Sequence, residues 1–243
     1  MNPIVMTTTN GNDEFYPTPG KLAGMMLAGV DWKKVTTILE PSAGKGDLLK
    51  AATKAFYANT GYRSRFEADC IEIDPYLRQI LLYNFSRDSV EDLRKRHKEL
   101  DWLGRNRTRS ESEERKQLDR KINAVDVVEM RVVHDDFLAL RSGKQYDLIL
   151  MNPPFANGDL HLLKALELQK NGGQVICLLN AETLRNPYTK TRQLLQRQLR
   201  EYGAKITFVN DAFKNAERVA NVDVVIVKVV IHLYGMKAQF MSA

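Results

Sequence analysis

The sequence has 243 residues, of which 44% are hydrophobic and 27% are charged, a composition that argues against disorder throughout the chain and permits one folded core. Lysine and arginine outnumber aspartate and glutamate by 36 to 30, and the resulting net charge of +6 mildly favours polyanionic partners. Cys70 and Cys177 each lie in an apolar run. They are therefore expected to be buried thiols in a reducing compartment, and not a disulfide or a metal site.

The sequence contains no signal for export or for insertion into a membrane. No basic amino-terminal segment leads into an apolar run. The longest apolar stretch, VVIVKVVIHLY, is interrupted by Lys228 and His232. We therefore predict a cytoplasmic protein without a membrane partner.

Short β-rich runs alternate with helical patterns after a polar start. Residues 1–14 lack periodicity and are expected to form a flexible tail, so that the folded domain spans residues 15–243. The predicted strands lie in VTTILE, FEADCIEID, AVDVVEMRVVHDDF, YDLILMN, GGQVICLLN, AKITFVND and VDVVIVKVVIHLY, and helical segments such as GDLLKAATKAFYAN and YTKTRQLLQRQLREYG separate them. The alternation predicts an α/β fold with a seven-stranded, mostly parallel sheet and helices on both faces.

Residues 86–121 interrupt this alternation with a charged insertion. Val90, Leu93, His97 and Leu100 recur at helical spacing, and a second helical pattern follows a polar turn. The segment is predicted to form an inserted helical hairpin.

The glycine-rich turn LEPSAGKGDLL follows the first strand and opens the first long helix. Gly44 and Gly46 would let a ligand approach the backbone beside a helix amino terminus, although a tight turn alone would also explain them. The spacing is not that of a phosphate-binding P-loop. Glu40 and Glu72 each lie at a strand end, where a carboxylate suits a ligand with ribose hydroxyls or positive charge, such as S-adenosylmethionine.

Several segments then occur in a recognisable order along the chain. EPSAGKGDLL, IEIDP, DDFL and MNPPF resemble the ordered motifs of Rossmann-like class I N6-adenine methyltransferases, FYPTP is similar to their amino-terminal cofactor motif, and FKNAERVANVDVVIVKV to their late motif. The resemblance covers nearly the whole chain apart from the insertion. It implies transfer of a methyl group from S-adenosylmethionine to adenine N6 in DNA without a metal, and a prokaryotic, phage or mobile-element origin.

The same resemblance assigns residues to the cofactor. FYPTP would close over its methionine end with Thr18 as the polar contact, and Asp136 would lie near its adenine amine, with Asp135 as the alternative. Asp74 is expected to cap the helix that begins at Pro75, and His134 to be structural. The predicted cofactor set is Tyr16, Thr18, Glu40, Ser42, Gly44, Gly46, Glu72, Ile73, Asp136 and Asn152.

The NPPF segment is predicted to be catalytic, because the exocyclic amine of adenine is a poor nucleophile whose lone pair is delocalised into the ring. The side-chain oxygen of Asn152 and the carbonyl of Pro153 would accept its hydrogens, while Phe155 stacks on the base. Pro154 completes the corner. A strand-terminating turn with a core phenylalanine is the structural alternative.

Other substrates fit the same segment. Similar NPP corners act on adenine in RNA and on glutamine side chains in proteins, and a non-catalytic nucleic-acid-binding protein that keeps the fold is a further alternative. Asparagine at position 152 favours adenine over cytosine N4, where relatives usually carry serine.

Target recognition is expected to differ from that of the family, because the chain ends about ten residues after its last predicted strand and leaves no room for a carboxy-terminal recognition domain. Selectivity would come from the hairpin, from the helix after residue 185, or from a specificity subunit or homodimer. The predicted nucleic-acid contacts are Arg105, Arg107, Arg109, Lys190 and Arg192.

Overall fold

The computed structural model of the protein describes residues 16–61, 64–214 and 222–232. The predicted tail, Phe15 of the FYPTP segment, and residues 215–221 of the late motif lie outside these ranges. One sheet holds seven strands in the order β3-β2-β1-β4-β5-β7-β6. The strands are Thr37–Glu40 (β1), Phe66–Ile71 (β2), Val128–His134 (β3), Leu148–Met151 (β4), Gly173–Asn180 (β5), Lys205–Val209 (β6) and Val224–Ile231 (β7).

The sheet is parallel except at β7, which pairs antiparallel with both β5 and β6. The predicted seven-stranded, mostly parallel sheet is therefore confirmed. After β1 the chain builds β2 and β3 on one side of that strand, and after β4 it builds β5 on the opposite side of the sheet. In an open α/β sheet a crevice forms beyond the carboxyl ends of the strands at such a reversal, here between β1 and β4.

Helices cover both faces of the sheet, as predicted. Leu22, Met26 and Phe56 bury one face, whereas Leu162 and Leu195 bury the other. Within the described ranges no helix is long and apolar enough to cross a bilayer. The α-helices are Gly20–Leu27 (α1), Asp47–Thr60 (α2), Pro75–Asn84 (α3), Glu91–Trp102 (α4), Arg109–Asp126 (α5), Gly158–Leu168 (α6), Glu182–Arg185 (α7) and Lys190–Glu201 (α8).

The insertion consists of α4 and α5, which run antiparallel. Arg96 pairs with Glu114 midway along α4 (2.8 Å), and Arg94 pairs with Asp126 at the end of α5 (2.5 Å). The helix α5 continues to Asp126, past the predicted boundary at 121, so it includes the first residues of the run AVDVVEMRVVHDDF, and the strand predicted in that run occupies only Val128–His134. The last turn stays helical because Ala124 is buried and Asn123 donates to the Tyr57 hydroxyl on α2 (3.2 Å).

Candidate active site

A cleft of about 290 Å³ opens at the carboxyl edge of the sheet, beyond the ends of β1 and β4, where the order of the strands reverses. It brings together all four residues of the NPPF segment and every predicted cofactor residue except Gly46. The sequence analysis missed several residues that also line it, namely Asp47, Leu48, Leu77, Phe137, Leu138, Asn157 and His161.

The glycine-rich turn between β1 and α2 is hydrogen-bonded to the end of β2. Ala43 donates its N–H to the carbonyl of Ile71 (3.0 Å), and Gly44 donates to the Glu72 carboxylate (2.6 Å). Gly44 adopts φ 56°, a left-handed conformation that residues with a Cβ rarely adopt. The turn therefore holds Gly44 at the cleft wall and fixes the Glu72 side chain at the same time.

Gly46 does not line the cleft. Its φ is 88°, and a Cβ built there would lie 2.5 Å from Phe85 and 2.8 Å from Leu81. The requirement for glycine therefore comes from the left-handed backbone and the close approach of α3. The prediction that Gly46 contacts the cofactor is not supported by its position.

Glu72 presents a buried carboxylate to the cleft. Glu72 accepts the N–H of Gly44, and its Oε1 also accepts the N–H of Asp74 (2.9 Å). Burial raises the pKa of Glu72, and the two backbone hydrogen bonds act in the opposite direction. Each carboxylate oxygen can accept more than one hydrogen bond. Glu72 can therefore hold its place in the protein and still accept a ligand hydroxyl.

Glu40 is 2% exposed, and its Oε2 has no hydrogen-bond partner among the described residues. Burial raises its pKa well above the ordinary value, and the nearby negative charges of Asp47 and Glu72 raise it further. An unpaired buried carboxylate oxygen is costly unless a donor reaches it. Glu40 thus offers a ligand in the cleft a buried carboxyl oxygen that the described residues leave unpaired.

The opposite wall combines apolar and polar groups beyond β2 and β3. Ile73 is 63% exposed although it lines the cleft, so it offers an apolar surface to a flat ring. Asp136 accepts the N–H of Leu138 (2.8 Å), whereas Asp135 lies beside His134 (3.2 Å). Both carboxylates line the cleft, and either can face an amine there.

His161 was not predicted as a site residue, although it lies on the same helical face as the buried Leu162 and Ala165. The carbonyl of Asn157 lies 2.9 Å from its Nδ1, and because a carbonyl only accepts, Nδ1 carries the proton. Burial lowers the pKa of His161, so the ring is neutral near pH 7. Its Nε2, which has no hydrogen-bond partner in the described part of the chain, is then an acceptor.

Asn152 follows β4 directly, and its amide orientation is fixed by the amino-terminal segment. Its Nδ2 donates to the carbonyl of Tyr16 (3.0 Å) and to the Thr18 hydroxyl (3.0 Å). Both amide hydrogens are thereby used. Across the described residues, neither its Oδ1 nor the carbonyl of Pro153 accepts a hydrogen bond, so two acceptors remain at this corner.

Three aromatic rings meet beside Asn152. Tyr16 stacks on Phe155 with centroids 5.3 Å apart and planes at 17°, and Phe213 lies edge-on to Phe155 at 6.1 Å. Phe213 opens the late motif FKNAERVANVDVVIVKV, but it was not predicted as a site residue because no local pattern links it to the distant Phe155. A base that stacks on Phe155 must use the other face of the ring or replace Tyr16.

The arginines predicted at the hairpin tip differ in their environments. Arg105 and Arg109 are exposed, beside a Trp102 that is 88% exposed. Arg107 instead donates to the carbonyl of Leu100 (2.9 Å) and pairs with Asp101 (3.4 Å). The prediction that Arg107 contacts nucleic acid is therefore not supported, because its guanidinium closes the tip of the hairpin.

The other predicted nucleic-acid contacts lie at the start of α8. Lys190 is exposed, and the Arg192 guanidinium lies over the ring of Tyr188 at 4.9 Å. Arg192 also donates to the carbonyls of Asn186 (3.2 Å) and Glu182 (3.4 Å). These contacts hold the loop that follows β5 at the same edge of the sheet as the cleft.

No protein-family model matches the sequence, and no curated protein matches it significantly. Solved structures do match. A Listeria monocytogenes protein assigned as a class I S-adenosylmethionine-dependent methyltransferase gives a TM-score of 0.56 at 14% identity, covering 90% of this chain and 62% of that one. The rRNA methyltransferase AviRa from Streptomyces viridochromogenes gives 0.52 at 13% identity, covering 89% and 87%.

A third structure, assigned as an RNA methyltransferase from Pyrococcus horikoshii, gives a TM-score of 0.51 at 17% identity and covers 90% of this chain and 89% of that one. The fold is that of the class I methyltransferases. At these identities the likeness concerns the fold alone. In the described ranges no group of three or more His, Cys, Asp or Glu side chains is arranged to hold a metal ion.

Proposed function

We propose that the protein transfers a methyl group from S-adenosylmethionine to the N6 amine of adenine in DNA. The observation that carries this proposal is the orientation of Asn152. Both hydrogens of its amide are used by Tyr16 and Thr18, and a flipped amide would lose the bond to the Tyr16 carbonyl and set two oxygens against each other. Its oxygen is thereby held as an acceptor at the corner where a substrate amine would enter.

The cleft residues fit the cofactor chemically. When bound, S-adenosylmethionine supplies a methyl group activated by the positive charge on sulfur. Glu72 would accept its ribose hydroxyls, Ile73 would cover the adenine ring, and Asp136 would face the adenine amine, with Asp135 as the alternative. Glu40 lacks a donor for Oε2, and a cofactor amine or a bound water would supply one.

The NPPF corner fits the chemistry of the target amine. Asn152 Oδ1 and the carbonyl of Pro153 would accept its two hydrogens, which favours a more tetrahedral nitrogen with its lone pair available to the methyl carbon. Bound S-adenosylmethionine would supply the methyl group to this nitrogen and keep the electrons of the former C–S bond on sulfur, and the methylated amine would lose one proton to water. Phe155 would hold the plane of the base, and a target within a duplex would have to leave the stack.

RNA is an equally plausible substrate. The proposed contacts are made to the base, whereas RNA and DNA are distinguished at the 2′-hydroxyl. A glutamine side chain presents a planar amide nitrogen to the same two acceptors, but it would not use Phe155 as a stacking surface. The exposed arginines and the net charge of +6 favour a nucleic acid over a protein.

The function is tested by adding radiolabelled S-adenosylmethionine to separate pools of DNA, RNA and protein, with wild type and with Asn152→Ala. We expect label in nucleic acid and a loss of turnover of about 100- to 1,000-fold in the variant, by analogy with removal of one oriented group from an oxyanion hole. Calorimetry should show nearly unchanged cofactor affinity. Near-normal turnover by Asn152→Ala would contradict the proposed adenine pocket.

Cofactor binding has a test of its own. Glu72→Ala should weaken binding of S-adenosylmethionine in calorimetry, both because a ribose acceptor is lost and because Gly44 loses its partner at 2.6 Å. Undiminished affinity would remove Glu72 from the cofactor site.

A further inference from the structure

The loop between α7 and α8 carries an exposed aromatic ring and follows β5, whose carboxyl end lies at the same edge of the sheet as the candidate active site. Tyr188 is 70% exposed, and Arg192, which contacts its ring, also bonds the carbonyl of Glu182, two residues beyond the end of β5. β5 is the direct neighbour of β4, with Met151 opposite Cys177. Because β4 and β5 are parallel, their carboxyl ends lie at the same edge of the sheet, so the loop that carries Tyr188 and the corner that carries Asn152 both follow strands that end at that edge.

The loop that carries Tyr188 is held in place by its own hydrogen bonds. Tyr188 donates its N–H to the carbonyl of Asn186 (3.0 Å). Thr189 caps α8 by accepting the N–H of Arg192 (3.1 Å), and Gln196 donates to the carbonyl of Leu184 (2.7 Å). An exposed ring on a fixed loop loses little freedom when it binds a ligand, which lowers the entropic cost of binding.

The charge around Tyr188 complements a polyanion. Arg192 covers one face of the ring with its guanidinium at 4.9 Å. Arg185 lies over Phe208 at 5.2 Å at the same edge of the sheet, but its charge is already paired with Asp223 (2.8 Å) and Glu182 (3.6 Å), so the cations offered to a polyanion here are Arg192 and the exposed Lys190. The sequence from Arg185 to Arg200 contains no acidic residue. Aromatic rings interleaved with arginines are the usual surface for bases and phosphates of a single strand.

We propose that Tyr188, supported by Arg192, stacks on an unpaired nucleotide that flanks the target adenine. The substrate is then a single strand or a locally unpaired segment, because a base within a duplex cannot stack on a protein ring without leaving its neighbours. This inference rests on the proposed function, which it extends from the target base to the structure of the surrounding strand.

Binding of fluorescent oligonucleotides that contain adenine tests the platform, with each sequence supplied as a single strand and as a duplex. Tyr188→Ala should weaken single-strand binding by about 5- to 100-fold, the loss expected for one base–aromatic stack. Tyr188→Phe should bind as wild type does, because stacking needs the ring and not the hydroxyl. Tyr202→Ala, at the opposite end of α8, is the matched control and should change nothing.

Two measurements separate this inference from the proposed function. Methyl transfer by wild type tests the function, and its absence on every nucleic acid would overturn both proposals. If wild type methylates nucleic acid and Tyr188→Ala binds and methylates a single strand equally well, only the platform is overturned. Equal weakening of single-strand and duplex binding, or the same loss in Tyr188→Phe, would also overturn it. Cofactor affinity in calorimetry should stay the same in all three variants.

Discussion

The amide of Asn152 is held by residues 136 and 134 positions earlier in the chain, Tyr16 through its carbonyl and Thr18 through its hydroxyl. Thr18 therefore does more than the sequence indicated. Its oxygen accepts from Asn152, and its hydroxyl hydrogen remains available to a ligand in the cleft. Thr18 is in this view a positioning residue that joins the cofactor side of the cleft to the amide that acts on the target amine.

The positioning role predicts a separable kinetic effect. Thr18→Val should lower kcat by about fivefold, the effect of losing one net hydrogen bond of about 1 kcal/mol, with little change in the KM for the oligonucleotide. Thr18→Ser keeps the hydroxyl and should restore most of the rate. A rise in the KM for S-adenosylmethionine with unchanged kcat would instead make Thr18 a cofactor contact only.

Glu40 makes the stability of the protein depend on pH. Its pKa in the folded state is raised above the ordinary value of 4.5, so the folded protein binds the proton more tightly than the unfolded chain does. That contribution is fully present below the unfolded pKa and is lost as the pH rises through the folded pKa. At neutral pH, folding therefore requires either burial of the charged Glu40 carboxylate or uptake of a proton by it, and both cost free energy.

Glu40→Gln removes this cost and should raise the Tm at pH 8, with a difference from wild type that shrinks towards pH 4. The comparison requires thermal melts across pH 4 to 8 without cofactor. Glu129→Gln, on the exposed side of β3, is the matched control and should show no such trend. A Tm difference that is the same at every pH would contradict the assigned ionisation of Glu40.

At the scale of elements, the start of α2 depends on its packing against α3. Gly46→Ala adds a Cβ at φ 88° that would overlap Phe85 and Leu81, and it should destabilise the protein by about 2 kcal/mol or more. Gly61→Ala, at the other end of the same helix, has φ 77° with no atom within 4 Å of the added Cβ. It should cost less, and equal losses in chemical denaturation would show that the overlap with α3 is relieved.

The helical hairpin offers a second prediction at this scale. Replacing Arg105 and Arg109 with alanine should weaken DNA binding and flatten its dependence on salt, by up to about 0.9 in the log–log slope per lost phosphate contact. Lys98 and Lys121 are exposed on the body of the hairpin, and their double alanine variant removes the same charge as a control. If the slope of log affinity against log salt is the same in the two double variants, the tip of the hairpin does not contact DNA and its role is structural.

Arg107 should behave differently from the other two arginines of the tip. Because it bonds the carbonyl of Leu100 and pairs with Asp101, Arg107→Ala should lower the stability of the hairpin. The sequence could not separate these three residues, since alternate spacing in a polar turn does not show which side chain folds back onto the helix end.

For the whole molecule, local patterns in the sequence were sufficient to predict the class of fold. The seven β-rich runs correspond to the seven strands. The central strands β4 and β5 are buried on both faces and are therefore continuous apolar segments, whereas the edge strands β3 and β6 are largely exposed or half-buried. The order of the strands and the antiparallel direction of β7 could not be read from those patterns, since they depend on pairing between distant segments. The end of α5 was missed for a similar reason, because its last turn is stabilised by Tyr57 on another helix.

The candidate site was predictable where residues lie at a strand end, as Glu40 does, or within two residues after one, as Glu72, Asp136 and Asn152 do. Those positions meet at one edge of a parallel sheet whatever the details of the loops. His161 and Phe213 were not predicted, because one lies on a helix with an apolar pattern and the other reaches the site from a distant loop. The hydrogen bonds that orient Asn152 could not be predicted either, because Tyr16 and Thr18 are distant from it in the sequence.

Identification of the methylated product bears most directly on the proposed function. Wild type would be incubated with S-adenosylmethionine that carries a deuterated methyl group and with adenine-containing DNA and RNA oligonucleotides, followed by nuclease digestion and mass spectrometry. We predict labelled N6-methyldeoxyadenosine from DNA, with almost none from Asn152→Ala. Labelled N6-methyladenosine from RNA alone would contradict DNA as the substrate but keep the chemistry. Label in cytosine, in protein, or in no product would contradict the assignment of the Asn152 corner as an adenine site.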